Sequence, residues 1–195
     1  MIIPSMGRMW DAEVLIAAAL QIREDHDPPR IVAAWCEPCP QPIGRDSAAV
    51  ARLAREVEEP LRTFNHPRTP SSRPIWHCQL RADPRDRPLS DTQWADLAHE
   101  IVNVTGIAPT TDPDGCPWIA IRTSGHKLQV IAPLLRRDGR PPRMHNAPAR
   151  AAALCQTLTD HRPRFWADRG SPHPVSRPTT TGASMTPSGG INRSR

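Results

Sequence analysis

The sequence predicts an α/β (α+β) fold, in which a mainly antiparallel sheet carries amphipathic helices on one face as a two-layer sandwich. The run from Pro117 to Arg137 contains two nearly continuous apolar strands joined by turn residues, a pattern typical of the middle of a sheet. Segments 30–36 and 75–82 are further short apolar runs of strand length. Helical periodicity dominates the stretches between these segments, so strands and helices share one domain.

The first half of the chain supplies two predicted helices around the first of these strands. The earlier helix covers 11–22, and the later one runs from Asp46 to about Glu59, where Pro60 stops or kinks it. The apolar stripe predicted for the earlier helix is Val14, Leu15, Ala18, Ala19 and Ile22.

The strand at 75–82 alternates, which divides its side chains between two faces. Trp76, Cys78 and Leu80 share one face, whereas Ile75, His77 and Gln79 share the other. His77 could therefore face a ligand, although a histidine without partners in the sequence is more often structural.

The helix predicted over 90–105 has the clearest boundaries in the chain. Ser90 and Gln93 form a capping box, and Gly106 is a natural stop. The central strands follow at 117–123 and 128–135, with Lys127 and Gln129 on the face opposite to Leu128 and Val130.

The C-terminal part divides into a last helix and a tail. Residues 1–161 form the predicted domain, whose last helix carries Ala151, Leu154, Cys155 and Leu158 on one stripe. Residues 162–195 are rich in Pro, Ser, Thr and Arg, and such a basic segment cannot bury enough apolar surface to fold. We therefore expect this tail to be disordered.

Several motifs, in order, resemble the relaxase/mobilization nuclease domains of the MobA type, in their actinobacterial-like branch. They are the runs at 74–78, 89–95, 118–122 and 134–139, and the resemblance covers about residues 10–161. It implies a relaxase-like fold and a role in plasmid mobilization and conjugation. That family nicks single-stranded DNA at a transfer origin, with a Tyr nucleophile and a metal held by three His.

The positions that carry the chemistry in that family hold other residues here. Thr123 stands in place of the first His, and Lys127 and Gln129 stand in place of the His-x-His pair. The family's Tyr falls near Ala18, and the chain contains no Tyr. His126 lies one residue away from a ligand position, which would place it on the opposite face of a strand. We therefore expect a pseudoenzyme without catalytic residues, metal or other cofactor.

Charge indicates where a nucleic acid would bind. Residues 122–150 contain seven basic residues and one acidic residue, although the chain before them is net acidic. A local basic segment beside the central strands suits a phosphate-binding surface. The alternative is a solvent-exposed basic surface that binds no ligand. The predicted nucleic-acid-binding residues are Arg122, Lys127, Arg136, Arg137, Arg140 and Arg143.

Cys36 and Cys39 have the spacing of half a zinc site. No second pair completes it, so free thiols are the favoured interpretation.

No apolar run is long enough for a membrane span and no signal peptide pattern opens the sequence, so we expect a cytoplasmic protein. The working hypothesis is a degenerate relaxase domain that binds single-stranded or origin DNA, with relaxosome proteins as possible partners. One alternative is a truncated remnant or a protein-interaction module. Another is an active DNA-nicking relaxase that uses unidentified residues, with His77, His126 and a Ser as candidates.

Overall fold

Five antiparallel strands form a single sheet in the computed structural model, which describes residues 1–21, 28–36 and 46–160. The strands are β1 (Ile2–Met9), β2 (Arg30–Ala34), β3 (Ile75–Ala82), β4 (Ile119–Ser124) and β5 (Lys127–Pro133). Their order across the sheet is β1-β3-β5-β4-β2, and each pair of neighbours is antiparallel. The mixed fold class, the antiparallel sheet and the four predicted strands are confirmed.

Helices pack on both faces of the sheet, so the prediction of a two-layer sandwich with helices on one face is wrong. The helices are α1 (Ala12–Gln21), α2 (Ser47–Val57), α3 (Glu59–Thr63), α4 (Asp91–Thr105) and α5 (Ala147–Asp160). One core joins the strands to α4 and α5, and a second joins them to α1, α2 and α3. We call the two faces the α4 side and the α1 side.

The reason for two helical layers lies in the central strands. β4 and β5 are apolar on both faces, with Ala120 and Val130 in the α4-side core and Ile119 and Ile131 in the α1-side core. Strands of this composition require cover on each face to remove their apolar side chains from water.

β1 is the strand that the sequence did not predict. Pro4 and Gly7 interrupt its strand pattern, but β1 lies at the edge of the sheet, where a proline is tolerated because one side of the strand needs no partner. The backbone N–H of Ile2 donates instead to Thr159 Oγ1 of α5 at 3.3 Å.

The buried stripe of α1 differs from the predicted one. Val14 is 47% exposed and Ala18 is also exposed, whereas Ala12, Leu15, Ile16 and Ala19 are buried. Because apolar residues surround most of this helix, periodicity alone did not select the buried face. Ile22 lies outside the described residues.

A buried carboxylate joins α1 to the α2–α3 junction. Glu58 is 4% exposed and accepts hydrogen bonds from the backbone N–H of Ala12 at 2.9 Å and from Arg68 Nη1 at 2.5 Å. It satisfies a donor at the start of α1 that has no partner inside the helix. The helix that was predicted to reach Pro60 ends at Val57, and Pro60 lies in the first turn of α3.

α4 begins and ends as predicted. Ser90 and Gln93 form both hydrogen bonds of the capping box, and Gly106 ends the helix with a φ of 81°. Within the described ranges, no helix has the length and apolar character that a membrane crossing requires. Cys39 and the tail 162–195 lie outside the described residues, as do the predictions made for them.

Candidate functional site

α1 and α2 cover only part of the α1 side, and the rest of that side is polar. The covered part spans β2, β4 and the far end of β5, and it reaches Ile75 at the start of β3. Beyond Ile75, the residues of β1 and β3 that point to the α1 side are not part of a core with any described helix. We call this surface the open face; it consists of Ile3, Ser5, Gly7, His77, Gln79, Arg81, Lys127 and Gln129.

The polar side chains of the open face stand in rows across the strands. Gln79 pairs with Gln129, and Arg81 pairs with Lys127, in the antiparallel register of β3 and β5. Arg81 donates from Nε and Nη2 to Gln79 Oε1 at 3.2 and 2.9 Å, so the guanidinium is held along its own strand. Directly opposed side chains of this kind lie within interaction distance.

The electrostatic character of this surface follows from its strands. β1, β3 and β5 contain neither Asp nor Glu, whereas Arg81 and Lys127 both project from the α1 side. Arg81 and Ser5 are exposed, and Ile3 is 52% exposed. The open face is therefore an accessible surface whose own strands contribute positive but no negative side chains.

His77 leans over Gly7 of the neighbouring strand. The two residues are partners in the register of β1 and β3, and a Cβ atom at position 7 would come within 2.5 Å of His77 Nε2. Glycine at this position is what leaves room for the ring. The ring is half-buried, and burial holds the pKa of His77 below its ordinary value of 6.5. An imidazole with a lowered pKa is neutral at neutral pH.

The three positions that the relaxase resemblance aligns with metal ligands hold side chains that do not fit a metal ion. Lys127 and Gln129 are half-buried on the open face, while Thr123 is buried beside a bulge between Arg122 and Ser124. The Thr123 hydroxyl has no hydrogen-bond partner among the described residues. A hydroxyl, an ammonium and an amide form a poor ligand set, and the ammonium would repel a cation.

Elsewhere the described chain brings no three His, Cys, Asp or Glu side chains together in a way that could hold a metal. His126 contacts the backbone oxygen of Asp86 through Nε2 at 2.9 Å, in the loop after β3. Ala18, which the relaxase resemblance aligns near a Tyr, is exposed on α1, while Ala19 is buried in the α1-side core.

Arg122 does not lie on an accessible surface, which corrects its prediction as a nucleic-acid contact. It is 3% exposed on the α4 side, where Nε approaches Asp91 Oδ1 at 2.6 Å at the start of α4. By alternation along the strand, a residue two places after Ala120 points into the α4-side core. The ion pair makes the buried charge tolerable.

Arg136 is also engaged within the fold. Nη1 lies 2.9 Å from Asp112 Oδ2 and Nη2 lies 3.0 Å from Asp138 Oδ2. These two carboxylates offset its charge. The positive charge available to a ligand is therefore smaller than the net charge of segment 122–150.

Arg137, Arg140 and Arg143 are exposed, but they lie apart from Lys127. They follow the end of β5, in a segment that passes Phe64 at Gly139 and the end of α4 at Gly106. Lys127 begins the same strand, and six residues of strand span about 20 Å. The structure thus separates the predicted binding residues into a buried one, an ion-paired one, three exposed ones beyond β5, and Lys127 on the open face.

The described cysteines have the properties of core residues. Cys78, Cys116 and Cys155 are free and buried, whereas Cys36 is partly exposed. Burial raises the pKa of Cys116 to about 12 and that of Cys155 to about 11, which disfavours the reactive thiolate.

Sequence reasoning missed Ser5, Gly7 and Arg81 as members of this surface. The alternation that placed His77 and Gln79 on one face extends to Arg81, which was the available signal. Ser5 and Gly7 had no such signal, because β1 was not predicted as a strand.

Comparisons with protein-family models, with curated proteins and with solved structures give no significant match for this chain. The relaxase resemblance therefore stays a prediction from its sequence motifs.

Proposed function

We propose that this protein is a relaxase-like domain that binds single-stranded DNA on its open face and does not cut it. The observation that carries the proposal is the acid-free composition of β1, β3 and β5 together with Arg81 and Lys127 on their accessible face. We further propose that the protein acts in the cytoplasm, where transfer-origin DNA and relaxosome proteins would be found.

The chemistry of the open face favours a single strand over other ligands. Positive side chains attract phosphates, and the Gln79–Gln129 pair supplies amide donors and acceptors of the kind that pair with exposed base edges. A sheet surface accommodates an extended strand with splayed bases, as in the common single-strand-binding domains. Protein–protein docking is less favoured, because the polar centre of the surface would have to be desolvated.

The absence of cleavage rests on the residues themselves. Nicking by the family's chemistry needs a nucleophile that forms a covalent bond to phosphorus and a metal that stabilises the phosphate oxygens. The chain has no Tyr, and the ligand positions hold Thr123, Lys127 and Gln129. Lys127 can hold a phosphate as a point charge, which is a binding role rather than a catalytic one.

Fluorescence anisotropy with a labelled oligothymidylate tests the binding surface. In the variant Arg81→Ala/Lys127→Ala we expect affinity to fall about tenfold or more, since hydrogen bonds to charged groups contribute about 1.5–3 kcal/mol each. The slope of log affinity against log salt should fall by about 0.7 for each phosphate that the variant no longer binds. Equal affinity of the double variant and the wild type would refute the proposed surface.

Arg8→Ala is the matched control for this experiment. Arg8 is an exposed arginine of β1 whose register partner is Trp76, so it projects to the α4 side of the same strands. We expect its removal to leave binding unchanged. A second comparison variant, Arg137→Ala/Arg140→Ala/Arg143→Ala, reports whether the segment beyond β5 contacts the DNA instead.

A nicking assay separates the remaining hypotheses. The protein is incubated with origin-like single strands and Mg²⁺ or Mn²⁺, and we expect intact DNA. A specific nick that EDTA abolishes would mean an active enzyme with another nucleophile. No binding to any oligonucleotide at low salt would favour the remnant or the protein-interaction module.

A further inference from the structure

The ring of His77 is the one aromatic group that β1, β3 and β5 place on the open face. Its partner across the strands is Gly7, and the tip of the ring occupies the space that a Cβ atom would fill, with Nε2, Cε1 and Cδ2 at 2.5, 2.9 and 3.4 Å from that position. The ring therefore leans across the edge strand instead of standing away from the sheet.

The ring of His77 lies between buried and exposed residues of the α1 side. Its neighbours along β3 on the same side are Ile75, which is buried, and Gln79, which is half-buried. Ser5 is exposed beside Gly7 on β1. The ring keeps part of its surface accessible, between the covered core and the charged end of the open face.

We propose that His77, laid over Gly7, is a stacking platform for one nucleobase of the bound single strand. This inference rests on the proposed function, and it adds a position that binds a base to a surface argued so far from phosphate charges. Every base has a π-face, so a single aromatic platform binds a strand without selecting its sequence.

His77 does not contribute to DNA binding through a positive charge at neutral pH. The lowered pKa leaves the imidazole neutral at neutral pH, so it adds no attraction for phosphate there. A neutral aromatic ring contributes by stacking, and histidine is among the side chains on which unstacked bases are found.

A structural role for the pair would look similar in the free protein. An aromatic ring that covers a glycine on an edge strand also stabilises the sheet. The two roles differ in what the ligand must contain, because a structural role is indifferent to the bases of the DNA.

The experiment compares His77→Phe with His77→Leu, on oligothymidylate and on an abasic oligonucleotide of the same length. Phe keeps a ring and Leu keeps a comparable apolar volume, so both variants preserve packing over Gly7. We expect His77→Phe to bind oligothymidylate like the wild type and His77→Leu to bind about tenfold more weakly, the size of effect that one stacked base produces. On the abasic strand both variants should match the wild type.

Other outcomes overturn the inference in distinguishable ways. If His77→Leu binds oligothymidylate as tightly as the wild type, or loses the same factor on abasic DNA, no base stacks on His77 while binding at the open face can still stand. If the wild type binds neither oligonucleotide, the proposed function fails as well. Circular dichroism of each variant confirms that the fold is intact.

Discussion

The α1 side of the sheet has two halves that are formed partly by the same strands but differ in the polarity of their side chains. In the covered half, Ile31, Ile119, Ile121 and Ile131 are buried beneath α1 and α2. In the open face, the same side carries Ser5, His77, Gln79 and Arg81 among its residues. The difference teaches that helical cover, rather than position within a strand, determines which side chains a strand can present.

The boundary between the halves crosses individual strands. On β3 it falls between Ile75 and His77, and on β5 it falls between Ile131 and Gln129. Each strand therefore changes from aliphatic to polar side chains where its cover ends. Such a change within one strand indicates that the polar residues face solvent or a ligand, because a strand buried along its whole length would be apolar throughout.

The packed core on the α4 side provides the upper limit of this comparison. Trp94 of α4 is completely buried there, so Trp94→Ala should lower the free energy of unfolding by about 3–5 kcal/mol. Urea denaturation measures the change. A loss within about 0.5 kcal/mol, the size typical of surface positions, would show that α4 does not depend on this ring.

A paired substitution tests the comparison directly on the α1 side. Ile121→Ala in the covered half should cost about 2–5 kcal/mol, because it leaves a cavity in a packed core. Gln79→Ala on the open face should change stability by less than about 0.5 kcal/mol, although it removes the hydrogen bonds from Arg81. Similar losses at both positions, in the same urea titration, would mean that the open face is buried in solution.

A smaller effect should link Gly7 and His77. Gly7→Ala introduces a methyl group where the His77 ring lies, so we expect a loss of stability that disappears in a His77→Ala background. The coupling energy from this double-mutant cycle should fall in the range of about 0.5–3 kcal/mol found for residues in contact. Additive effects of the two substitutions would contradict the packing of the ring over Gly7.

The smallest effect concerns pH. Because the pKa of His77 is lowered in the folded protein, the unfolded chain binds the proton first as pH falls below 6.5. The contribution of His77 to the free energy of unfolding should therefore decrease as the pH falls from 6.5 to the lowered pKa. Below that pKa, the contribution of His77 no longer changes with pH. The decrease should be absent from His77→Leu when thermal melts are compared across this pH range.

The sequence was sufficient for the central part of the fold and insufficient for its edge. β4, β5 and α4 carry strong local signals, namely continuous apolar runs and a capping box, and the structure confirms them. β1 has Pro4 and Gly7 within it, and its strand conformation depends on pairing with β3, which no local pattern reveals.

The same limit applies to the candidate site. Lys127, Gln129, His77 and Gln79 were assigned to faces by alternation, and the register brings them together across β3 and β5. The burial of Arg122 depends on Asp91, a partner distant in sequence, so charge counting could not anticipate it.

The outer edge of β1 has a consequence for how the protein behaves at high concentration. Backbone donors alternate between the two edges of a strand, and the Ile2 N–H points outward to Thr159. Pro4, next on that edge, has no N–H, so only Met6 and Arg8 of β1 can offer outward donors to another chain. A foreign strand would gain few hydrogen bonds by adding there, and growth of the sheet into fibrils is disfavoured from this side.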